Sequence, residues 1–260
     1  MNIQLLRNAT QILKINGKSI LIDPMLGEKG SYDPIPNTGN TLRNPLVDLP
    51  ITEPELKQLI DQTDAVLLTH LHRDHWDLTA QQLLPKDMML FCQPADLETV
   101  RQTGFINAHP IADEFIWEDI RFNRTGGQHG TGLIGERMGM VSGYVIRHQG
   151  NVLYLAGDTI WCKEVCEALD KYKPTHIILN GGGARFQTGD PIVMNVPDVI
   201  TVCNYAVQAQ IIIVHLEAVN HSTESRIDIK AALKAHGFSG RCVVPENGES
   251  ISLKENNKFA

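Results

Sequence analysis

Residues 64–77 read DAVLLTHLHRDHWD, and the nine residues from Thr69 to Asp77 decide how the rest is understood. Ala65 to Leu68 form a continuous apolar run, the pattern of a short strand buried on both faces. Three histidines and two aspartates then follow at its C-terminal end. His70 and His72 flank Leu71, and residues two apart in extended chain point the same way, so both imidazoles can reach one ion. Asp74 and His75 come after a turn and point elsewhere, towards a second ion. Imidazole nitrogen and carboxylate oxygen without thiolate suit zinc, iron or manganese. A polar surface loop is the plainer alternative; it accounts for one histidine better than for H-x-H-x-D-H behind a buried strand.

A catalytic site needs further ligands from other strand ends, and the sequence offers three. His129 follows Gly126-Gly127-Gln128, Asp158 follows VLYLAG, and His215 ends the apolar run IIIV. His70, His72 and His129 then form one set, and Asp74, His75 and His215 another. Asp158 joins the two as a bridging carboxylate.

Around these points the chain alternates strands and helices. TQILKI and SILID form a hairpin about Asn16-Gly17, closed at Asp23-Pro24 where proline stops the strand. Residues 27–50, rich in Gly, Pro, Asn and Asp, form a long loop of the kind that is usually functional. ITEPELKQLI is a short helix with Thr52 or Glu53 at its cap and Pro54 in its first turn. LTAQQLLP (helix), MLFCQP (strand) and ADLETVRQTG (helix) follow. ADEFIWEDIRFNRTGGQHG is a strand pair, and SGYVIRHQGNVLYLAGDT a hairpin turning at Gln149-Gly150-Asn151. CKEVCEALDKY and NVPDVITVCNYA are helices around the buried strand THIILNGGG. The strand IIIVHLE, the helix TESRIDIKAALKAHG and short strands in RCVVPENGESISL close the chain.

The order hairpin, aspartate, loop, helix, buried strand occurs twice, once from QILKINGKSILIDP and again from YVIRHQGNVLYLAGDT. That echo predicts an α/β fold in which two mixed sheets pack face to face with helices outside, a four-layer α/β/β/α sandwich. All 260 residues are read as one domain with similar halves at about 1–125 and 126–260.

Composition agrees with this picture. With 42% hydrophobic and 20% charged residues, the chain can bury a large core. A formal charge of -7 argues against nucleic acid or an anionic membrane as the main partner. No stretch approaches the roughly 20 apolar residues that span a bilayer, and the opening MNIQLLRNATQIL lacks the features of a signal peptide. Five scattered cysteines suggest reduced thiols in a cytoplasmic protein rather than a disulfide framework. Asn8-Ala9-Thr10 matches a glycosylation sequon that is empty in that compartment.

THLHRDHWD, the later QHG, AGDT and a strand-end histidine resemble the metallo-β-lactamase-fold superfamily across essentially the whole chain. HLEAVNH offers both His215 and His221 as the last ligand; His215 directly ends its strand, as the family's last ligand does. Asp158 stands where one subclass of zinc β-lactamases has cysteine, so the chain resembles the broader hydrolase branch more than the antibiotic-resistance enzymes. The flavo-diiron branch typically has glutamate at the position of His72, which speaks against an oxygen-reducing site. Within the hydrolases, ILIDP and HLHRDHWD look most similar to the group containing ascorbate-6-phosphate lactonase.

The resemblance implies two divalent ions, zinc first with manganese or iron as alternatives, and hydrolysis of a small ester, lactone, amide or phosphodiester by hydroxide held between them. Asp74 would also orient that hydroxide, and His221 would protonate the leaving group or merely cap the helix near Ser222-Thr223. Arg43 and Asn44 in the long loop and Arg185 after NGGGA are candidate contacts for a small substrate, anionic ones included. Trp76 is expected beneath the loop, and Trp161 on a helix rather than in the pocket. An iron-dependent dioxygenase and a non-catalytic metal-binding protein are the competing classes, and a homo-oligomer stays open.

Overall fold

The computed structural model describes residues 1–253. Strands without a polar face need cover on both sides, and here they have it. In β3 (Lys18–Ile22), Ile20 and Ile22 enter one core and Leu21 another, all fully buried. β11 (His176–Asn180) and β12 (Gln210–Val214) divide the same way. Ile178, Ile212 and Val214 join Ile20 and Ile22, while Ile177, Leu179, Ile211 and Ile213 face outward into a helical layer.

Two seven-stranded sheets result. The first runs β14 (Ser250–Ser252), β1 (Asn2–Arg7), β2 (Thr10–Ile15), β3, β4 (Ala65–Leu67), β5 (Met89–Cys92) and β6 (Ala108–Pro110). The second runs β7 (Glu114–Trp117), β8 (Ile120–Thr125), β9 (Gly143–His148), β10 (Asn151–Leu155), β11, β12 and β13 (Cys242–Val243). In that order each sheet has three antiparallel pairings followed by three parallel ones. The echo in the sequence is therefore a repeat of topology.

The inner faces share one core. Leu56 and Ile60 of α1 (Glu53–Asp61), Ala80 of α2 (Leu78–Leu83) and Val100 of α3 (Leu97–Gln102) cover the first sheet's outer face. α5 (Lys163–Tyr172), α6 (Val196–Tyr205) and α7 (Arg226–Ala235) cover the second. This is the expected α/β/β/α sandwich.

Local signals explain most boundaries. Asn16 and Gly17 both have positive φ, the two-residue turn that matches strand twist. Thr52 and Glu55 form a reciprocal capping box at α1, and Asp77 Oδ1 accepts from Ala80 N at the start of α2. Trp76 is buried against Phe105, and Trp161 packs on Tyr205 of α6, away from the cavity described below.

Four points differ from the sequence reading. Sheet membership does not change at 125/126, because β7 and β8 belong to the second sheet and β14 returns to the first. β1 and β6 lie outside the elements that the pattern predicts. So does α4 (Gly132–Met138), whose glycine-rich sequence has low helix propensity and buries no residue. Asn151 starts β10, so the turn is Gln149-Gly150 alone. The described residues include no disulfide and no helix long and apolar enough to cross a membrane.

Candidate metal centre

Parallel strands expose their C-terminal ends along one edge of each sheet, where ligands gather in open α/β folds. His70, His72, Asp74 and His75 follow β4, Asp158 follows β10, and His215 follows β12. His129 enters from the segment after β8. Gly157 precedes Asp158 with φ +70, and a Cβ there would lie 2.7 Å from the Ser142 carbonyl oxygen, so the tight turn requires glycine. His215 itself has φ 64, and its N–H donates to the Asn8 carbonyl at 3.0 Å, which holds this unusual backbone in place.

The seven residues form two sets whose donor atoms lie within 4.8 Å of one another: His70, His72 and His129, then Asp74, His75, Asp158 and His215. His72 Nδ1 lies 3.0 Å from His70 Nε2 and 3.2 Å from His129 Nε2. In the second set, Asp74 Oδ2 is 3.1 Å from His215 Nε2 and 3.6 Å from His75 Nε2. Asp158 Oδ2 is 3.2 Å from His75 Nε2, 3.6 Å from His215 Nε2 and 3.7 Å from His129 Nε2 of the first set. One carboxylate oxygen thus reaches both sets.

These residues fit a pair of metal ions. Tetrahedral ligands at zinc's usual bond lengths sit about 3.3 Å from each other, within the observed spread. His75 Nε2 is buried with no hydrogen-bond partner, although two carboxylate oxygens flank it. An unpaired buried nitrogen aimed between carboxylates lacks only a cation.

The electrostatics point the same way. Burial drives His70 well below its usual pKa and His129 down to about 4, so both are neutral ligands at neutral pH. Burial also acts against charge on His75 and His215, but the carboxylates beside them, Asp158 and Asp74, outweigh it and raise both. Burial likewise opposes ionisation of Asp74 and Asp158, yet the surrounding histidines hold both well below the carboxylate range. The second set therefore stabilises positive charge in its centre.

Outer contacts fix the rings of His70, His75 and His129. Asp23 accepts from Thr69 N at 2.8 Å and Thr69 Oγ1 at 2.7 Å, and its Oδ2 lies 2.9 Å from His75 Nδ1. Thr69 Oγ1 also contacts His70 Nδ1 at 3.0 Å, and His129 Nδ1 contacts the Ile192 carbonyl at 2.7 Å. Asn180 Nδ2 donates to Asp158 Oδ1 at 2.7 Å, which leaves Oδ2 facing the histidines. Such contacts set the tautomer that presents a lone pair to metal.

A cavity of about 290 Å³ opens over the two sets. Pro34, Ile35, Pro36, Met138 and Phe186 supply its apolar lining, and Asp33, Arg73 and His221 its polar rim. Residues 18–216 match the family model of the β-lactamase superfamily domain. The chain belongs to the β-lactamase superfamily.

Several of its relatives are named metal-dependent hydrolases. The UPF0173 protein YddR of Bacillus subtilis (strain 168) is 41% identical over 257 residues, covering 97% of this chain and all of that one. A UPF0173 metal-dependent hydrolase of Geobacillus sp. (strain WCH70) is 30% identical over 156 residues, 56% of this chain and 58% of the relative. The isothiocyanate hydrolase from Delia radicum gut bacteria has a similar structure, with TM-score 0.92 and 35% identity over 97% of this chain and 99% of that one. These relatives do not single out the ascorbate-6-phosphate lactonase group.

The structure brings some of the expected site residues together and not others. His215 sits among the donor atoms, whereas His221 is outside both sets and lines the cavity. His221 does not cap α7, whose cap is Ser225. None of the three expected substrate contacts lines this cavity. Arg43 is spent on its own loop, on the Gly30 and Ser31 carbonyls and Asp33. Asn44 is buried in an amide pair with Asn220, and Arg185 is exposed with its guanidinium on the Gly189 carbonyl. The glycines after β11 serve close packing, since a Cβ on Gly182 would lie 2.9 Å from the His215 carbonyl oxygen.

Arg73, a mere spacer by its place in the motif, lines the cavity and lies over the Tyr32 ring at 5.7 Å. Asp23 carries a signal in ILIDP, but one that marks only a strand end, and Asn180 carries none.

Proposed function

We propose that this chain is a dinuclear metal-dependent hydrolase that adds water to an electrophilic carbon in a small, largely apolar substrate. Asp158 carries the proposal: its Oδ2 lies within 3.7 Å of nitrogens from both ligand sets, at the floor of the cavity. When bound, a zinc pair, or manganese or iron in its place, supplies water with a pKa near 7 and Lewis acidity at the substrate.

The chain's own residues would do the rest. Asp74 holds its place through Asn8 Nδ2, 3.4 Å from Oδ2, and is positioned to orient the attacking water. His221, kept neutral by burial, has no hydrogen-bond partner for Nδ1 among the described residues. It is placed on the cavity wall to pass a proton to the leaving group. Pro34, Ile35, Pro36, Met138 and Phe186 exclude bulk water and receive the apolar part of the substrate. Arg73, the one arginine or lysine of the lining among the described residues, can meet negative charge at the rim.

The likeness to the isothiocyanate hydrolase supports isothiocyanates as the first substrate class. Their central carbon is electrophilic and uncharged, and water converts R–N=C=S to the amine R–NH2 and carbonyl sulfide. Esters, lactones and amides of similar size present the same kind of carbon.

The test is hydrolysis of phenethyl isothiocyanate by the zinc-loaded chain, followed by amine release, with and without a chelator. Metal-dependent amine release is the expected result. Absence of turnover on this probe and on small esters and lactones would overturn the proposal. So would iron in the purified chain together with oxygen consumption on a thiol substrate.

A further inference from the structure

The cavity wall formed by Pro34, Ile35 and Pro36 belongs to a long loop without regular structure, yet its backbone is closely held. The loop's neck is fixed by Arg7, fully buried, which donates to the carbonyls of Met25 (2.7 Å), Gly27 (2.8 Å) and Val47 (3.0 Å). Its tip is fixed by Asn220, 2% exposed, from the segment after β12. Asn220 Oδ1 accepts from Ile35 N at 2.9 Å and Asn44 Nδ2 at 2.8 Å. Its Nδ2 donates to Thr38 Oγ1 at 2.7 Å and lies 3.1 Å from the Ile35 carbonyl. Its own backbone N–H and carbonyl bond Asn44 Oδ1 at 2.8 Å and Asn40 Nδ2 at 2.9 Å.

Both polar atoms of one buried amide are thus used on the two sides of Ile35. Hydrophobic contact does not do this work: Pro34 and Ile35 are half-buried and Pro36 is exposed. Asn220 also directly precedes His221, so the same short segment that holds the wall presents the cavity histidine.

We propose that Asn220 is a positioning residue that sets substrate selectivity by holding Pro34-Ile35-Pro36 as a fixed apolar wall. This rests on the cavity being the substrate site, as proposed above. A rigid wall discriminates between tails because each methylene buried against it counts, by about tenfold or more in kcat/KM. A wall free to retreat loses that contact for long tails, while a tail too short to reach it has none to lose.

The experiment compares phenethyl and methyl isothiocyanate on the zinc-loaded full chain, in wild type, Asn220→Ala and the isosteric Asn220→Asp. Metal content and hydrogen exchange at the Ile35 amide are measured alongside. The expected result is normal metal content, faster exchange at Ile35, and a roughly tenfold fall in the phenethyl-to-methyl ratio of kcat/KM. Ile35→Ala, which removes the wall side chain without touching Asn220, should lower the same ratio, and combining it with Asn220→Ala should add little.

An unchanged ratio in an active variant overturns the proposal, because a merely structural role would lower both rates together. Unchanged exchange at Ile35 overturns it too. If wild type hydrolyses neither probe, isothiocyanates fail as the substrate class and the selectivity role fails with them, while the hydrolase reading is decided separately on small esters and lactones; the exchange data still decide whether Asn220 holds the loop.

Discussion

Replacing Asp23 by asparagine should weaken metal binding without removing a single ligand. In the native arrangement Asp23 Oδ2 accepts from Thr69 Oγ1 at 2.7 Å and lies 2.9 Å from His75 Nδ1, which must therefore carry the proton. That tautomer leaves Nε2 unprotonated where it faces Asp74 and Asp158 at 3.6 and 3.2 Å. The amide introduced by Asp23→Asn would keep an oxygen for the Thr69 N–H but turn an NH2 group towards His75 Nδ1. His75 would then favour its proton on Nε2, the atom needed by the metal.

Losing an outer contact of this kind costs about 10–100-fold in affinity, or roughly 1.4–2.7 kcal/mol. The first set is reached only indirectly, through Thr69 Oγ1 and His70 Nδ1 at 3.0 Å, and its His129, whose Nδ1 is fixed by the Ile192 carbonyl, is untouched. The second set should thus weaken more than the first, and occupancy at limiting zinc should fall from two ions towards one. Competition with a chromophoric chelator, with metal counted by elemental analysis, measures this. Two ions bound within about twofold of the wild-type affinities, well short of the loss expected from an outer contact, would refute the tautomer reasoning.

Three other outcomes follow from the same geometry. Asp158→Ala should lose most metal and all hydrolysis while keeping its circular dichroism; full metal and full rate in this variant would end the two-ion reading. His215→Ala should lose an ion, whereas His221→Ala should keep both and lose rate by about 10²-fold, which elemental analysis beside kinetics distinguishes. In metal-stripped protein, burial lowers His129 from 6.5 to about 4, so the unfolded chain holds the proton more tightly. Its stabilising contribution is full above about pH 6.5 and lost towards pH 4, by about 3 kcal/mol. His129→Gln lacks that component, so the wild-type-minus-variant difference in urea stability should shrink by that amount over this range, and a flat difference would contradict the assignment.

How much was legible follows from the kind of information each residue carries. His70, His72, Asp74 and His75 were readable because ligand chemistry is local: residue type, spacing and the end of an apolar strand suffice. His129, Asp158 and His215 were readable for the same reason, each sitting at a strand exit. The four-layer architecture was readable because β3, β11 and β12 have no polar face, which demands cover on both sides.

What the chain's own pattern could not decide depends on contacts between distant segments. Asp23 reaches His75 only because β3 pairs beside β4, and Asn180 reaches Asp158 only because β11 pairs beside β10. Arg43, Asn44 and Arg185 had suitable chemistry for substrate, but none of them lines the cavity, and Arg43 and Asn44 are engaged within the fold by carbonyls, a carboxylate and an amide. A polar side chain in a loop is free for substrate only if its neighbours leave it unpaired. The sequence alone determined which atoms can bind metal, because that is a property of side chains. Only the tertiary structure decided which carboxylate sets each tautomer, and which amide holds the cavity wall, because hydrogen bonds join whatever the fold brings within about 3 Å.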